Sequence, residues 1–216
     1  MAPVLGYWAL RGLAQPIRLA LEYTGEAYEE KLYNFGSPDH DRSEWLDEKF
    51  KLGLDLPNLP YYIDGDVKIT QSNAILRYIG RKHDLCGKTE QERIRVDVLE
   101  NQAMDYRMAY YQLAYGNYNT HKEQYLKDLA TKLKTLSDLL GDQKWFVGDQ
   151  ITISDFVLYE LLDVHLQLHD VCLADAKNLQ QFMKRFEALP AIKTYMASPR
   201  FMKAPLNGPQ ALVGNK

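Results

Sequence analysis

The sequence predicts an α/β layer of roughly 80 residues followed by an all-α domain. Three observations carry that reading. Short apolar runs near the front are interrupted by one helical segment. From His83 onward the apolar spacing is helical throughout. Two capping boxes, Thr89-x-x-Glu92 and Thr152-x-x-Asp155, punctuate the second part.

The elements follow in order. Val4 to Trp8 reads as a short strand, and Gly12 marks the turn after it. Pro16 suits the first turn of a helix, where its missing N–H has no partner to lose. Ile17, Ala20, Leu21 and Thr24 continue at helical spacing, and Gly25 stops that helix. A second strand is expected from Tyr28 to Tyr33, then a loop through Asn34 to Arg42. Pro60 cannot donate a hydrogen bond, so it belongs at a strand start or edge. The strand it opens turns at Asp64-Gly65, returns through Val67 to Thr70, and meets Gln71-Ser72 at the head of a helix. We place the α/β domain at residues 1–83, a linker at 84–88 and the helical domain at 89–216. The first long helix should run from Thr89 to near Tyr115. Leu126, Leu129, Leu133, Leu136 and Leu140 mark the next, closed by Gly141. Thr152 opens an apolar helix through Tyr159 and Leu162. Leu179, Phe182, Met183 and Phe186 mark another, and Pro190 starts the last. The tail from Pro205 reads as irregular chain.

Composition narrows the classes. The chain has 216 residues, 46% of them hydrophobic, enough for a sizeable core. A formal net charge of -3 gives no reason to expect nucleic acid as a partner. No apolar run approaches the ~18 residues of a membrane span. Met1-Ala2-Pro3-Val4 does not resemble a secretory signal, and a cytoplasmic location is expected. Cys86 and Cys172 are then expected as free thiols in a reducing compartment. The five histidines have no metal-ligand spacing with the cysteines, and no metal is expected; His165 and His169 read as packing or surface residues. Cys-x-x-Cys, Gly-x-Gly-x-x-Gly, a phosphate loop and His-Glu-x-x-His do not occur.

One segment points to a ligand on residue chemistry alone. The backbone ahead of Pro60 is free to pair with an extended chain. Gln71 and Ser72 bring an amide, a hydroxyl and the N–H groups of a helix start to one point, where the helix dipole favours an anion. Together they read as a docking edge for a small peptide with a free acid group.

Several stretches resemble the mu class of the glutathione transferases. They are Gly6-Tyr7-Trp8, Arg11-Gly12-Leu13-Ala14, Asp41-Arg42-Ser43-x-Trp45, Phe50-Lys51-Leu52-Gly53-Leu54-Asp55, Pro57-Asn58-Leu59-Pro60-Tyr61 and Thr70-Gln71-Ser72-Asn73-Ala74-Ile75. Asn34 to Arg42 resembles that class's extra loop. In the second half, Ile94-Arg95-Val96-Asp97, Trp145-Phe146, Thr152 to Phe156 and Arg185-Phe186-Glu187 continue the likeness. It implies a thioredoxin-like first domain, a helical second domain, a homodimer, and reduced glutathione as co-substrate with no tightly bound cofactor.

The likeness also implies roles. Tyr7 is the catalytic tyrosine, its hydroxyl donating to the glutathione thiolate, and Tyr115 assists. A thiol near its reference pKa of about 8.5 is only a few per cent thiolate at pH 7, so a fixed donor has a definite job. Gln71 and Ser72 take the γ-glutamyl carboxylate. The Leu59 backbone, held by a cis Pro60, pairs with the cysteinyl unit. Trp45, Lys49 and Asn58 address the glycyl end with Arg42 nearby; Trp8 and Leu13 also border the tripeptide. Asp105 reaches the γ-glutamyl amine of the neighbouring subunit. Trp8, Leu10, Leu13, Met104, Arg107, Met108, Tyr115, Asn207 and Gly208 line the electrophile pocket. Arg77 and Asp97 form an ion pair across the dimer axis with Arg81 stacked near it, and Leu56 stands where a phenylalanine often enters the partner.

Each residue also has a plainer explanation. A tyrosine beside a tryptophan is usually core, Lys49 and Arg42 are ordinary loop charges, and Asp105, Asp97 and Arg77 are ordinary helix charges. Asp155 is explained fully by its cap. The expected function is conjugation of the glutathione thiolate to small hydrophobic electrophiles, by aromatic substitution or conjugate addition. A glutathione-dependent isomerase and a non-catalytic carrier of apolar ligands are the alternatives.

Overall fold

The computed structural model describes residues 2–215 of the chain. Its first domain is a four-stranded sheet in the order β2-β1-β3-β4. β1 (Val4–Trp8) runs parallel to β2 (Glu29–Tyr33) across the crossover helix α1 (Gln15–Thr24). β1 is antiparallel to β3 (Tyr61–Asp64), which forms a hairpin with β4 (Val67–Thr70). Pro16 and Gly25 bound α1 as expected, and the short α2 (Ser43–Leu46) lies in the loop before β3.

The sheet is covered on both faces because its strands alternate. Leu5 and Tyr62 point to the face packed by α1 and by Ile75, Leu76 and Ile79 of α3 (Ser72–Lys82). Tyr33 and Tyr61 point the other way, onto Trp45. Trp45 stacks on Tyr61 at 6.1 Å and meets Tyr33 edge-on at 5.4 Å, so its burial has a full packing explanation. Gly6 is required here, because a Cβ on it would fall 2.1 Å from the Tyr61 ring.

The second domain contains α4 (Glu90–Gln112), a π-helical turn (Leu113–Asn117), α5 (Tyr118–Leu140), α6 (Ile153–Leu168), α7 (Lys177–Glu187) and α8 (Pro190–Met196). Both capping boxes form. The expected α-helix to Tyr115 ends at Gln112 instead. The chain widens there into the π-turn, which carries Tyr115 and leads into α5. Nearly every residue of α6 is buried, and it forms the shared spine of both domains. The Asp155 carboxylate accepts from the backbone N–H of Phe146 at 2.9 Å and of Thr152 at 2.8 Å. The 84–88 segment is docked: Leu85 is buried and its carbonyl accepts from Ile153 N–H at 2.9 Å. Cys86 and Cys172 are free thiols.

Candidate functional site

The strand register assembles the site. Gly6 pairs with Tyr61, and Tyr61 with Thr70. Extending both ladders by one residue puts Tyr7, Pro60 and Gln71 in one row across the end of the sheet. Strands lie about 4.8 Å apart, so the row spans about 10 Å. The motifs that the sequence holds more than fifty residues apart therefore meet along one edge.

Tyr7 sits at the C-terminal half of β1 with its side chain 7% exposed. The Leu13 N–H donates to its oxygen at 3.1 Å. That bond uses a lone pair and leaves the phenolic proton free to donate elsewhere. Burial raises the Tyr7 pKa, Tyr111 adds to it, and the Leu13 N–H only partly opposes them, so the phenol stays protonated near neutral pH. Gly12, at φ 41, lets the turn pass this close: a Cβ there would lie 2.5 Å from the Tyr7 oxygen.

That turn is fixed from three sides. Arg11 is buried and donates to Glu160 through Nε at 3.1 Å and Nη2 at 2.5 Å, and to Asp163. Burial opposes its charge, but the two carboxylates of α6 outweigh that and keep it protonated. The tail runs alongside, with Arg11 and Gly12 N–H groups donating to the carbonyls of Pro205 and Leu206. Arg107 of α4 donates through Nη1 to the Gly12 carbonyl at 3.1 Å.

The other end of the row is the docking edge. The Leu59-Pro60 peptide is cis, as expected. Asn58 Oδ1 accepts from the Leu59 N–H at 2.9 Å, so an incoming strand competes with that local bond. The loop leading in is tied to β4, since Lys68 donates to the Leu52 carbonyl and Thr70 to the Leu56 carbonyl. Gln71 precedes α3 at φ 73, in a region non-glycine residues seldom occupy. Ser72 is buried directly after it, in the first turn of α3. Arg42 is exposed ahead of α2 and Lys49 half-buried just beyond it.

The apolar side is formed by Trp8, Leu10 and Leu13 with residues of the helical domain and tail. Leu10 is buried beneath the turn. Trp8 stacks on Phe35 at 4.3 Å, which sequence reasoning did not single out. The Tyr115 hydroxyl accepts from the Gly208 N–H at 2.7 Å. Met104 is half-buried and Met108 largely exposed. Asn207 is 2% exposed, and its amide donates to the Tyr110 hydroxyl at 2.7 Å and to the Val213 carbonyl at 2.8 Å. Those bonds consume its amide donors and anchor the tail, while its buried Oδ1 has no partner among the described residues.

Two family models match the chain: the glutathione S-transferase N-terminal domain over residues 3–81 and the C-terminal domain over residues 104–199. The chain is 55% identical to a Mus musculus protein called glutathione S-transferase Mu 4 and 54% to Homo sapiens glutathione S-transferase Mu 1, each covering all of both chains. It belongs to the mu-class glutathione S-transferase family. Two solved transferases superpose on it over 98% of this chain and 100% of theirs: a pi-class enzyme from Onchocerca volvulus (31% identical, TM-score 0.87) and Blo t 8 (35%, TM-score 0.88).

In this transferase the expected subunit-contact residues have mixed placements. Asp105 is exposed on α4 and Arg81 on α3. Leu56 is 71% exposed. Within its own chain Arg77 of α3 pairs with two acids one turn apart on α4, Asp97 at 3.1 Å and Glu100 at 2.7 Å. Burial lifts Glu100 to about 7 even against the Arg77 charge. His165 is a packing residue, stacked on Tyr125 and bonded to its hydroxyl at 2.7 Å and to the Leu161 carbonyl at 2.6 Å. Sequence reasoning also missed the Arg11–Glu160 pair and Arg18, buried among Glu30 and the Leu10 carbonyl. A charge that sets a turn through a contact 149 residues away leaves no local pattern to read. Among the described residues no helix is long and apolar enough to cross a membrane, and no group of three or more His, Cys, Asp or Glu could hold a metal ion.

Proposed function

We propose that this chain is an enzyme that adds the thiolate of reduced glutathione to small hydrophobic electrophiles. One observation carries the reading: a buried tyrosine whose oxygen already accepts a backbone N–H and whose proton is free, in the same sheet row as Pro60 and Gln71. The thiol takes the Tyr7 proton as a hydrogen bond, which lowers the cost of ionising it. The cysteinyl backbone runs along Leu59-Pro60, and the γ-glutamyl carboxylate meets Gln71, Ser72 and the first N–H groups of α3. The left-handed backbone at Gln71 costs about 1–3 kcal/mol, a cost that supports a binding role at this helix start. Trp45, Lys49, Asn58 and Arg42 border the glycyl end. Trp8, Leu13, Met104, Met108 and Tyr115 border the electrophile, with Phe35 covering Trp8. Glutathione is consumed, so it is a co-substrate and no resident cofactor takes part.

The enzyme works as a cytoplasmic homodimer in this reading. Ile94 and Val98, one turn apart on α4, and Leu56, in the loop before β3, are apolar and exposed, which supports covered surfaces on both domains. Asp105 of the partner subunit then reaches the γ-glutamyl amine. Initial-rate conjugation with 1-chloro-2,4-dinitrobenzene, alongside retention on immobilised glutathione, tests the reaction. Retention without turnover selects a carrier; turnover of a substrate isomerised without net loss of glutathione selects an isomerase.

A further inference from the structure

β2 ends the sheet, and its outer edge is unpaired. The Glu29 N–H donates to the Pro3 carbonyl at 2.8 Å, and the Tyr33 carbonyl accepts from the Ala9 N–H at 2.8 Å. In a parallel ladder alternate residues turn toward the partner strand, so Glu29, Lys31 and Tyr33 bond toward β1. The backbone N–H and carbonyl groups of Glu30 and Leu32 therefore point outward. Among the described residues no hydrogen bond from beyond the sheet reaches them. Tyr28, Glu30 and Leu32 present their side chains on one face, where Glu30 pairs with Arg18 of α1 at 2.5 Å.

A cleft of about 760 Å³ lies along that edge. One wall is Tyr28, Glu30 and Leu32, and the other is segment 199–204. The segment follows β2 in the same direction. At one end Arg200 and Tyr28 both bond Glu22, at 2.6 Å and 3.1 Å. At the other, Arg11, just past the end of β1, donates to the Lys203 carbonyl at 3.4 Å, and its backbone N–H donates to the Pro205 carbonyl. These ties hold the far wall without closing the gap, since no hydrogen bond links the segment to β2 among the described residues. Leu32, Phe201 and Met202 make the cleft apolar, and Phe201 is held edge-on to Tyr195 at 5.3 Å. Its charges are unbalanced. Glu30 is taken by Arg18 and Arg200 by Glu22, which leaves Lys203 exposed with no ion pair among the described residues.

We propose that this cleft docks an extended segment of another protein, which joins the sheet as an added strand on β2 and carries an acid beside Lys203. The site stands apart from the glutathione site and does not depend on the transferase reading. The outward N–H and carbonyl groups of Glu30 and Leu32 pair with the partner's main chain, and the side chains that enter the cleft set selectivity. Every second residue of the added strand faces the cleft. Those opposite Tyr28 and Glu30 meet the Tyr28 ring, Pro199 and Phe201, and are apolar. The one opposite Leu32 lies beside the uncompensated Lys203, and is acidic. From Tyr28 to Leu32 the edge is about 13 Å long, so about five residues of the partner are engaged. A second copy of this chain fits poorly, because two β2 strands paired antiparallel about Glu30 set like charges opposite each other.

The test uses two peptides with blocked termini, Val-Thr-Val-Thr-Glu and its reverse Glu-Thr-Val-Thr-Val, which serve the two strand directions. Each is titrated into isotope-labelled full-length protein with S-hexylglutathione present to fill the glutathione site, and amide exchange is read by NMR. We expect at least one peptide to slow exchange of the Glu30 and Leu32 amides about tenfold, while the Glu29 and Lys31 amides, already bonded to β1, do not change. Replacing the peptide's glutamate by lysine, or Lys203→Glu in the protein, should weaken binding about fivefold, and the two changes together should restore it. Protection of Leu32 by neither peptide at about 10 mM overturns the proposal, and so does an affinity indifferent to both charge changes. Protection that appears without peptide as the protein concentration rises overturns it in favour of a second copy at the edge.

Discussion

Replacing Tyr7 by phenylalanine removes one oxygen and little else. The ring stays packed among Leu10, Ala14 and Tyr61, and the Leu13 N–H loses its acceptor. A single preorganised donor to a developing anion is worth about 2.7–4 kcal/mol, or about two to three pKa units on the bound thiol. Taking the lower figure, a thiol that ionises near 6.5 in the wild type returns to about 8.5 in the variant. At pH 7 the thiolate fraction then drops from about three quarters to about 3%. The remaining thiolate is more basic and more nucleophilic, with a Brønsted slope of about 0.4–0.5, which restores part of the rate. We expect a loss between about 3-fold, with the basicity gain fully expressed, and about 25-fold, with none of it, at pH 7, shrinking as pH rises past 8.5. The direct assay is the ultraviolet absorbance of bound thiolate titrated against pH, read beside kcat/KM at each pH. Glutathione affinity should change much less than the rate. A variant whose thiolate titrates where the wild type's does would refute Tyr7 as the donor, whatever its activity.

Four further changes test the surroundings. Ser72→Ala should weaken glutathione binding by about 1–2 kcal/mol, measured by calorimetry, with the bound thiol pKa unmoved; an unchanged dissociation constant removes Ser72 from the site. Gly12→Ala puts a methyl 2.5 Å from the Tyr7 oxygen, so activity should fall at least about tenfold while the chain still folds; full activity would mean the turn moves freely. Burial and the nearby Arg107 and Lys132 depress His165 from 6.5 to about 4, so its neutral form stabilises the fold fully above pH 6.5 and that stability is lost as pH falls toward 4. His165→Gln should therefore lose less stability than wild type between those pH values, by up to about 3 kcal/mol in urea titrations; the opposing raised groups Asp155 and Glu100 are common to both proteins and cancel. Leu56→Ala should loosen the dimer and lower glutathione affinity together, as seen by sedimentation over a concentration series with activity at each point; monomers of full specific activity would return Asp105 to an ordinary surface acid.

Local chemistry was legible and long-range charge was not. Caps, turns and apolar periods are written within a few residues, so Gly25, Thr89, Thr152 and Pro190 marked real boundaries. The site motifs were legible because each is a short run at a strand end: Tyr7 closing β1, Pro60 opening β3, Ser72 opening α3. What joins them is register, and register follows from alternation plus a hairpin of fixed length. Asn207 and Arg107 were assigned to the pocket by likeness alone, and packing separated them. Asn207 has its amide donors used by Tyr110 and the tail backbone and keeps one buried acceptor, Oδ1, without a partner. Arg107 keeps one buried donor, Nη2, without a partner. The two polar residues of the same expected role thus differ in what folding leaves over, a buried acceptor on Asn207 and a buried donor on Arg107. The same distinction bears on Arg77. Its guanidinium is occupied within its own chain by Asp97 and Glu100, so any contact it makes with a partner subunit must add to those bonds or break them.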